Sequence, residues 1–250
     1  MSYEVLARKY RPSCFEEVIG QEHVVKALVN SIESEKIHQA FIFSGTRGVG
    51  KTTIARILAK CLNCESNSKP TSVPCNKCSN TIEITAGRSV DFLEIDAASN
   101  TQVEKIRDLI ETVEYKPAKG RYKIFLIDEV HMLSTASFNA LLKTLEEPPS
   151  HIVFIFATTN PEKIPKTVQS RCLQLNLKTV NEEMLNNHLN QILKKEKIKH
   201  DDESTQLISK SANGSVRDAL TILDQAIAHG NGELNSCLLY TSPSPRDTMS

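Results

Sequence analysis

The sequence predicts an α/β fold, a parallel sheet flanked by helices, followed by a smaller all-helical domain. The first observation is a set of short apolar runs: Ala40-Phe41-Ile42-Phe43, Phe92-Leu93-Glu94-Ile95, Ile124-Phe125-Leu126-Ile127 and Ile152-Val153-Phe154-Ile155-Phe156. Nearly continuous runs rich in β-branched and aromatic residues mark strands covered on both faces, as in parallel sheets. The second is helical spacing between them. Ile54, Ile57, Leu58 and Leu62 share one face. Val103, Ile106, Ile110 and Val113 form a stripe with Thr101 and Glu104 as a capping box, and Phe138, Leu141, Leu142 and Leu145 form another, stopped by Pro148-Pro149. Strands alternating with helices give an α/β sheet. The third is a change of texture after Leu175, where Met184, Leu185, His188 and Leu189, then Leu207 and Ile208, then Leu220, Leu223 and Ile227 are spaced for helices only. The expected domains are therefore 1–178, with a Cys-rich insertion at about 61–81, and a helical lid at 179–236. The polar, Pro/Ser-rich stretch 237–250 is expected to be a disordered or non-native tail.

Composition sets the outer limits. Thirty Lys and Arg balance 30 Asp and Glu, so charge alone names no partner, although a local basic groove on a neutral protein is compatible with nucleic acid. No run approaches the roughly 20 apolar residues of a membrane span, and Met1-Ser2-Tyr3-Glu4 does not begin like a signal peptide; a cytoplasmic protein is expected. In that reducing setting the seven cysteines suit metal ligands or buried thiols better than disulfides.

Gly45-Thr46-Arg47-Gly48-Val49-Gly50-Lys51-Thr52, followed by Thr53, fits a phosphate-binding loop directly after a strand and opening a helix. The glycines let backbone N–H groups close around phosphates, Lys51 reaches the β- and γ-phosphates, and Thr52 offers a hydroxyl to Mg²⁺. A chance glycine-rich turn is the competing reading, and the strand-loop-helix setting argues against it. Asp128 and Glu129 end an apolar strand, as a Mg²⁺-holding acid and a water-polarising base would. Alone that pattern is common. Beside the loop it becomes the second half of an ATPase site. His131 has no Ser or Cys nucleophile placed for it, so core packing or a hydrogen bond to a neighbouring loop is expected.

These motifs, with Ala157-Thr158-Thr159-Asn160, Ser170-Arg171-Cys172 and Gly214-Ser215-Val216-Arg217-Asp218, follow the order seen in AAA+ clamp loaders. Ala7-Arg8-Lys9-Tyr10-Arg11-Pro12, Gly20-Gln21-Glu22-His23, Glu94-Ile95-Asp96-Ala97-Ala98-Ser99 and Leu141 through Pro149 sharpen the likeness. From about Tyr3 to about Gly232 the chain resembles the bacterial clamp-loader ATPases of the DNA polymerase III complex. The resemblance implies that Thr159 is the sensor-1 residue detecting the γ-phosphate, Arg171 the arginine finger reaching a neighbouring subunit's ATP, and Arg217 the sensor-2 residue of the lid. It also implies that Tyr10, Arg11, Val18 and Ile19 lie against the adenine. Each has a plainer alternative: a strand-end turn for Thr159, a solvated surface side chain for Arg171, and pairing with Asp218 or Asp224 for Arg217.

The cysteines depart from the family pattern. Cys64, Cys75 and Cys78 match three ligands of the family's zinc module, but Thr81 stands where the fourth is expected. Cys61, one helical turn before Cys64, could complete a tetrahedral set if that helix end frayed. An empty or weakly filled site is the alternative. Cys14, Cys172 and Cys237 lack metal-like spacing.

The reading that follows is an ATPase using ATP, Mg²⁺ and, through its cysteines, Zn²⁺. The resemblance implies a clamp-loader motor working with other loader subunits and copies of itself to place a sliding clamp on primed DNA. DNA contact would be to phosphates rather than bases, with Thr101, Arg107 and Lys143 as candidates. No polymerase active site is visible, so polymerase activity would belong to the complex. A branch-migration type of AAA+ motor and a non-hydrolysing loader subunit are the rivals. The Cys insertion and the Ser-Arg-Cys motif oppose the first; the intact Lys51, Thr52, Asp128 and Glu129 oppose the second. In the family a third helical domain follows and assembles the oligomer, so weak self-assembly and little hydrolysis are expected of this chain by itself.

Overall fold

A computed structural model describes residues 4–99, 111–230 and 234. The stripe Val103, Ile106 and Ile110 with its Thr101 and Glu104 cap, the candidates Thr101 and Arg107, and the 237–250 tail lie outside these residues. Among the described residues the chain divides into two compact units, one of residues 12–46 and 50–178, the other of residues up to 11, 47–49 and from 179 onward.

The first unit holds a five-stranded sheet in the order β2-β3-β4-β1-β5. Its strands are β1 (Ala40–Ser44), β2 (Phe92–Asp96), β3 (Lys123–Asp128), β4 (Ile152–Thr158) and β5 (Leu173–Asn176), all paired in parallel. The buried pattern of β1, β3 and β4 explains their unbroken apolar sequences. Phe125 stacks on Phe154 at 5.4 Å between ring centroids, and Phe154 on Phe156 at 6.0 Å. Strand β5 is the one the apolar-run criterion passes over. As a four-residue edge strand it alternates half-buried and exposed residues, so its sequence, Leu-Gln-Leu-Asn, carries no continuous run.

Helices in this unit follow their stripes. Helix α2 (Glu22–Glu33) buries Val24, Leu28 and Ile32. Helix α3 (Lys51–Asn63) buries Ile54, Ile57, Leu58 and Leu62. The short α4 (Ser79–Thr85) follows the cysteine loop. Helix α5 (Thr135–Glu146) starts where the Ser134 hydroxyl accepts the Ser137 N–H, buries Phe138, Leu141 and Leu145, and ends just before Pro148. A single turn, α6 (Lys166–Gln169), precedes β5.

The second unit is helical: α1 (Leu6–Lys9), α7 (Glu182–Glu196), α8 (Asp202–Ser211) and α9 (Val216–His229). Asn181, Asp201 and Ser215 each cap the helix that follows by accepting the N–H three residues on. Residues 4–11 group here, and the reason is chemical. The Leu6 N–H donates to Asp224 Oδ2 at 2.8 Å, Lys9 pairs with Glu196 at 2.6 Å, and the Tyr10 hydroxyl donates to the same Glu196.

Candidate nucleotide and metal sites

In the sheet unit the parallel register sets Ser44 of β1 beside Thr158 of β4, and Asp96 of β2 beside Asp128 of β3, so the polar strand ends share one edge. The chain leaves β1 at Gly45, whose N–H donates to the Thr158 carbonyl at 3.2 Å, and enters α3 through Gly50 at φ 104°. That dihedral is unfavourable for any residue with a Cβ, which is why glycine stands there. Lys51 is 6% exposed, and its Nζ donates to the carbonyls of Gly45 at 2.8 Å and Thr46 at 2.9 Å. Burial pulls its ammonium below the usual value, opposed by the negative charges of Glu129 and Asp128.

At the next position of the same helix, Thr52 Oγ1 donates to Asp128 Oδ2 at 2.8 Å. This joins the loop to the tip of β3 and sets two oxygen donors side by side, the ligand type Mg²⁺ takes. Glu129 follows with φ 47° and ψ 44°, a left-handed conformation that costs a non-glycine residue roughly 1–2 kcal/mol. Its backbone N–H is held by Asp128 Oδ1 at 2.9 Å. Its Oε2 accepts from the Thr159 hydroxyl at 3.1 Å and the Thr159 N–H at 3.3 Å. His131 Nδ1 lies 3.3 Å from that oxygen and 3.0 Å from Thr158 Oγ1. His131, expected to pack in the core or bond a neighbouring loop, instead bonds the end of strand β4, beside the acid.

The structure gathers Gly45, Thr46, Lys51, Thr52, Asp128, Glu129 and Thr159 into one linked cluster. Thr53 is half-buried on the next position of α3, and Val18 and Ile19 are half-buried after a short 3-10 turn. Arg171 pairs with Glu146 at 2.7 Å and donates to the Thr167 carbonyl at 2.6 Å. Lys143 is exposed in the last turn of α5.

In the helical unit, residues 47–49 pack with the start of α9. Arg47 is exposed and Val49 is 2% exposed. Gly48 has φ +77°, its carbonyl accepts the Arg217 N–H at 3.4 Å, and a Cβ on it would lie 2.0 Å from Ser215 Oγ. Sequence reasoning named Arg217 as a lid residue and gave Ser215 no role, although the helix-cap spacing from Ser215 to Asp218 signals it. Tyr10 and Arg11 belong to this unit. Burial, then the Glu196 carboxylate, pushes the Tyr10 hydroxyl up to about 12.

The thiol sulfurs of Cys64, Cys75 and Cys78 lie within 4.8 Å of one another. Cys64, the C-terminal cap of α3, is fully buried. Cys75 Sγ accepts the backbone N–H groups of Cys78 at 3.3 Å and Lys77 at 3.5 Å, which hold its thiol down to about 6. Cys64 Sγ accepts the Cys75 N–H at 3.3 Å. Three converging sulfurs fit three corners of a tetrahedral zinc site. Cys61 is not among them. It faces inward on α3, its thiol points at the Ser72 carbonyl at 3.5 Å, and burial raises its pKa. The group beside the trio is Thr81, fully buried, with Oγ1 3.2 Å from Cys78 Sγ and 4.0 Å from Cys75 Sγ.

A glycine-rich loop between a central parallel strand and a helix, tied through a threonine to the acid of an adjoining strand tip, defines a P-loop fold of the AAA+ type. The solved structures agree at the level of fold. The branch-migration motor RuvB of Thermotoga maritima superposes with a TM-score of 0.67 at 18% identity, over 92% of this chain and 71% of that one.

The chain belongs to the DNA polymerase III family of clamp-loader-type subunits. Residues 20–181 match the family model described as DNA polymerase III, delta subunit, and residues 184–232 that of the DNA polymerase III clamp loader subunit, ATPase lid domain. Among relatives, DNA polymerase III subunit tau of Salmonella typhimurium is 57% identical over 94% of this chain, and that of Bacillus subtilis 48% over 91%. Subunit gamma of Buchnera aphidicola subsp. Schizaphis graminum is 55% identical over 94%. The chain spans 36% of the Salmonella protein, 40% of the Bacillus protein and 64% of the Buchnera protein.

Proposed function

We propose that the chain is the ATP-hydrolysing motor part of a clamp-loader subunit. The observation that supports it best is the hydrogen bond from Thr52 Oγ1 to Asp128 Oδ2, with Glu129 adjoining. Mg²⁺ held by that threonine and aspartate would supply positive charge at the phosphates. The N–H groups of the loop Gly45, Thr46, Arg47, Gly48, Val49 and Gly50 bind phosphate oxygens, and Lys51 turns its ammonium from the loop carbonyls toward them. Glu129 orients the attacking water and takes its proton, while Thr159 contacts the γ-phosphate. Arg171 serves a neighbouring copy's nucleotide, where a planar, permanently charged guanidinium suits the transferring phosphoryl group. Arg217 contacts nucleotide from the lid domain, assigned to 179–236, and Thr53, Tyr10, Arg11, Val18 and Ile19 complete the nucleoside end.

Zinc on Cys64, Cys75 and Cys78 is structural, fastening the insertion at about 61–81. The partners are other loader subunits, further copies of this chain, the sliding clamp and primed DNA, met through phosphates, with Lys143 as an exposed contact. Among the described residues no helix is long and apolar enough to cross a membrane, in keeping with work in the cytoplasm. The deciding experiment is titration with a fluorescent ATP analogue, with and without Mg²⁺. Tight, Mg²⁺-dependent uptake that K51A abolishes is expected. Uptake indifferent to Mg²⁺ and to K51A would end the proposal, and turnover unmoved by clamp and primed DNA in the assembled loader would end its clamp-loading half.

A further inference from the structure

We infer that His131 is a positioning residue for Glu129: its Nδ1–H, with the hydroxyl and backbone N–H of Thr159, fixes one carboxylate oxygen so that the other faces the reacting water. This rests on the ATPase reading above and adds a residue to it. Polar groups gather on one atom. Thr159 Oγ1 at 3.1 Å and Thr159 N at 3.3 Å donate to Glu129 Oε2, His131 Nδ1 stands 3.3 Å from the same oxygen, and among the described residues no hydrogen bond reaches Oε1. A base must present one oxygen in a set direction, and a carboxylate free to rotate about its last torsion does not. The backbone makes such a clamp necessary, because Glu129 occupies a left-handed conformation that neighbours must over-determine to keep.

The proton is assigned by charge. His131 Nδ1 lies between two oxygens, Glu129 Oε2 and Thr158 Oγ1 at 3.0 Å, and its side chain is only 9% exposed. A bare Nδ1 lone pair there would face the carboxylate at close range with little water to screen it. Nδ1–H instead donates to Thr158 Oγ1, with the positive end of the N–H bond beside Glu129 Oε2. Thr158 is fully buried and its Oγ1 already accepts the Asn160 N–H at 3.0 Å, which fixes the hydroxyl the ring leans on. The Asp128-Glu129-Val130-His131 turn is what delivers the ring: a 3-10 turn over Val130–Met132 folds it back over the residue two before it.

Two measurements test the assignment, the first on the chain itself and the second in the assembled loader. In ¹⁵N-histidine long-range correlation spectra, with His131 assigned by its loss in H131N, the ring carries its proton on Nδ1 and shifts toward the Nε2–H form in E129A. In single-turnover ATP hydrolysis by the assembled loader, losing the N–H beside the carboxylate lowers the rate of H131A by roughly ten- to a hundredfold, while nucleotide affinity stays within about twofold. H131N, whose amide nitrogen stands near the place of Nδ1, recovers most of the rate; H131Q does not. A ring protonated only on Nε2, or H131A hydrolysing at the wild-type rate, overturns the inference and leaves the ATPase reading standing. Wild-type hydrolysis no faster than that of E129Q removes both.

Discussion

Gly48→Ala tests the approach between the loop and α9 quantitatively. At φ +77° an alanine carries a left-handed penalty of roughly 1–2 kcal/mol. Its Cβ would also stand 2.0 Å from Ser215 Oγ, so that hydroxyl must swing away. The same hydroxyl accepts the Asp218 N–H at 3.2 Å and caps α9, and losing it costs about 1 kcal/mol. G48A should therefore destabilise by about 2–3 kcal/mol and S215A by about 1 kcal/mol. In the double variant the nearest obstacle becomes the residue-215 Cβ at 3.1 Å, a tight but tolerable contact, and the cap is already gone. G48A/S215A should then be no less stable than G48A, a coupling of about 1 kcal/mol. The chain has no tryptophan, so urea unfolding is best followed by far-ultraviolet circular dichroism, with hydrogen exchange at the Asp218 amide reporting the cap directly. Losses that add within about 0.3–0.5 kcal/mol would refute the reasoning.

Further outcomes follow from other contacts. Replacing Thr81 with cysteine should raise zinc affinity and resistance to chelators, whereas C61S should leave both unchanged; a C61S chain that loses its metal would reinstate Cys61 as a ligand. Asp91 is 2% exposed and accepts three backbone N–H groups, from Ala118, Lys119 and Gly120, each at 2.7 Å. D91N should lower unfolding stability by at least about 2 kcal/mol, since charge-assisted bonds weaken and one oxygen becomes a donor facing donors; a change under about 0.5 kcal/mol would contradict this account. Tyr10, with its pKa raised to about 12, favours the fold below the ordinary tyrosine value near 10, and that contribution fades as pH rises from about 10 to about 12. Absorbance titration should show one late tyrosine, absent in Y10F.

How much was legible depended on whether a residue's partner was close in sequence or local in rule. Strands β1, β3 and β4 could be read because burial on both faces leaves almost no polar position, the edge strand β2 because Phe92, Leu93 and Ile95 keep its run mostly apolar, and the phosphate loop because glycine positions are dictated by backbone geometry. Strand β5 and the assignment of residues 4–11 were hidden, since an edge strand need not be apolar and the Leu6–Asp224 hydrogen bond spans most of the chain. In the site, Thr52 and Asp128 were legible as types but not as a bonded pair. His131 beside Glu129 was illegible in role, because what defines it is a β4 residue brought alongside by strand register. Cys61 illustrates the opposite case: its spacing is suitable, yet the helix turns its buried thiol toward Ser72 and away from the sulfur trio.

Helix α3 has a further implication for mechanics. Its thirteen residues make a rod about 20 Å long, with the glycine loop at one tip and Cys64 of the sulfur trio at the other. An ion gripping those sulfurs would anchor the far tip, so that a shift begun by phosphate at the near tip emerges as a pivot of the rod rather than a slide along its axis.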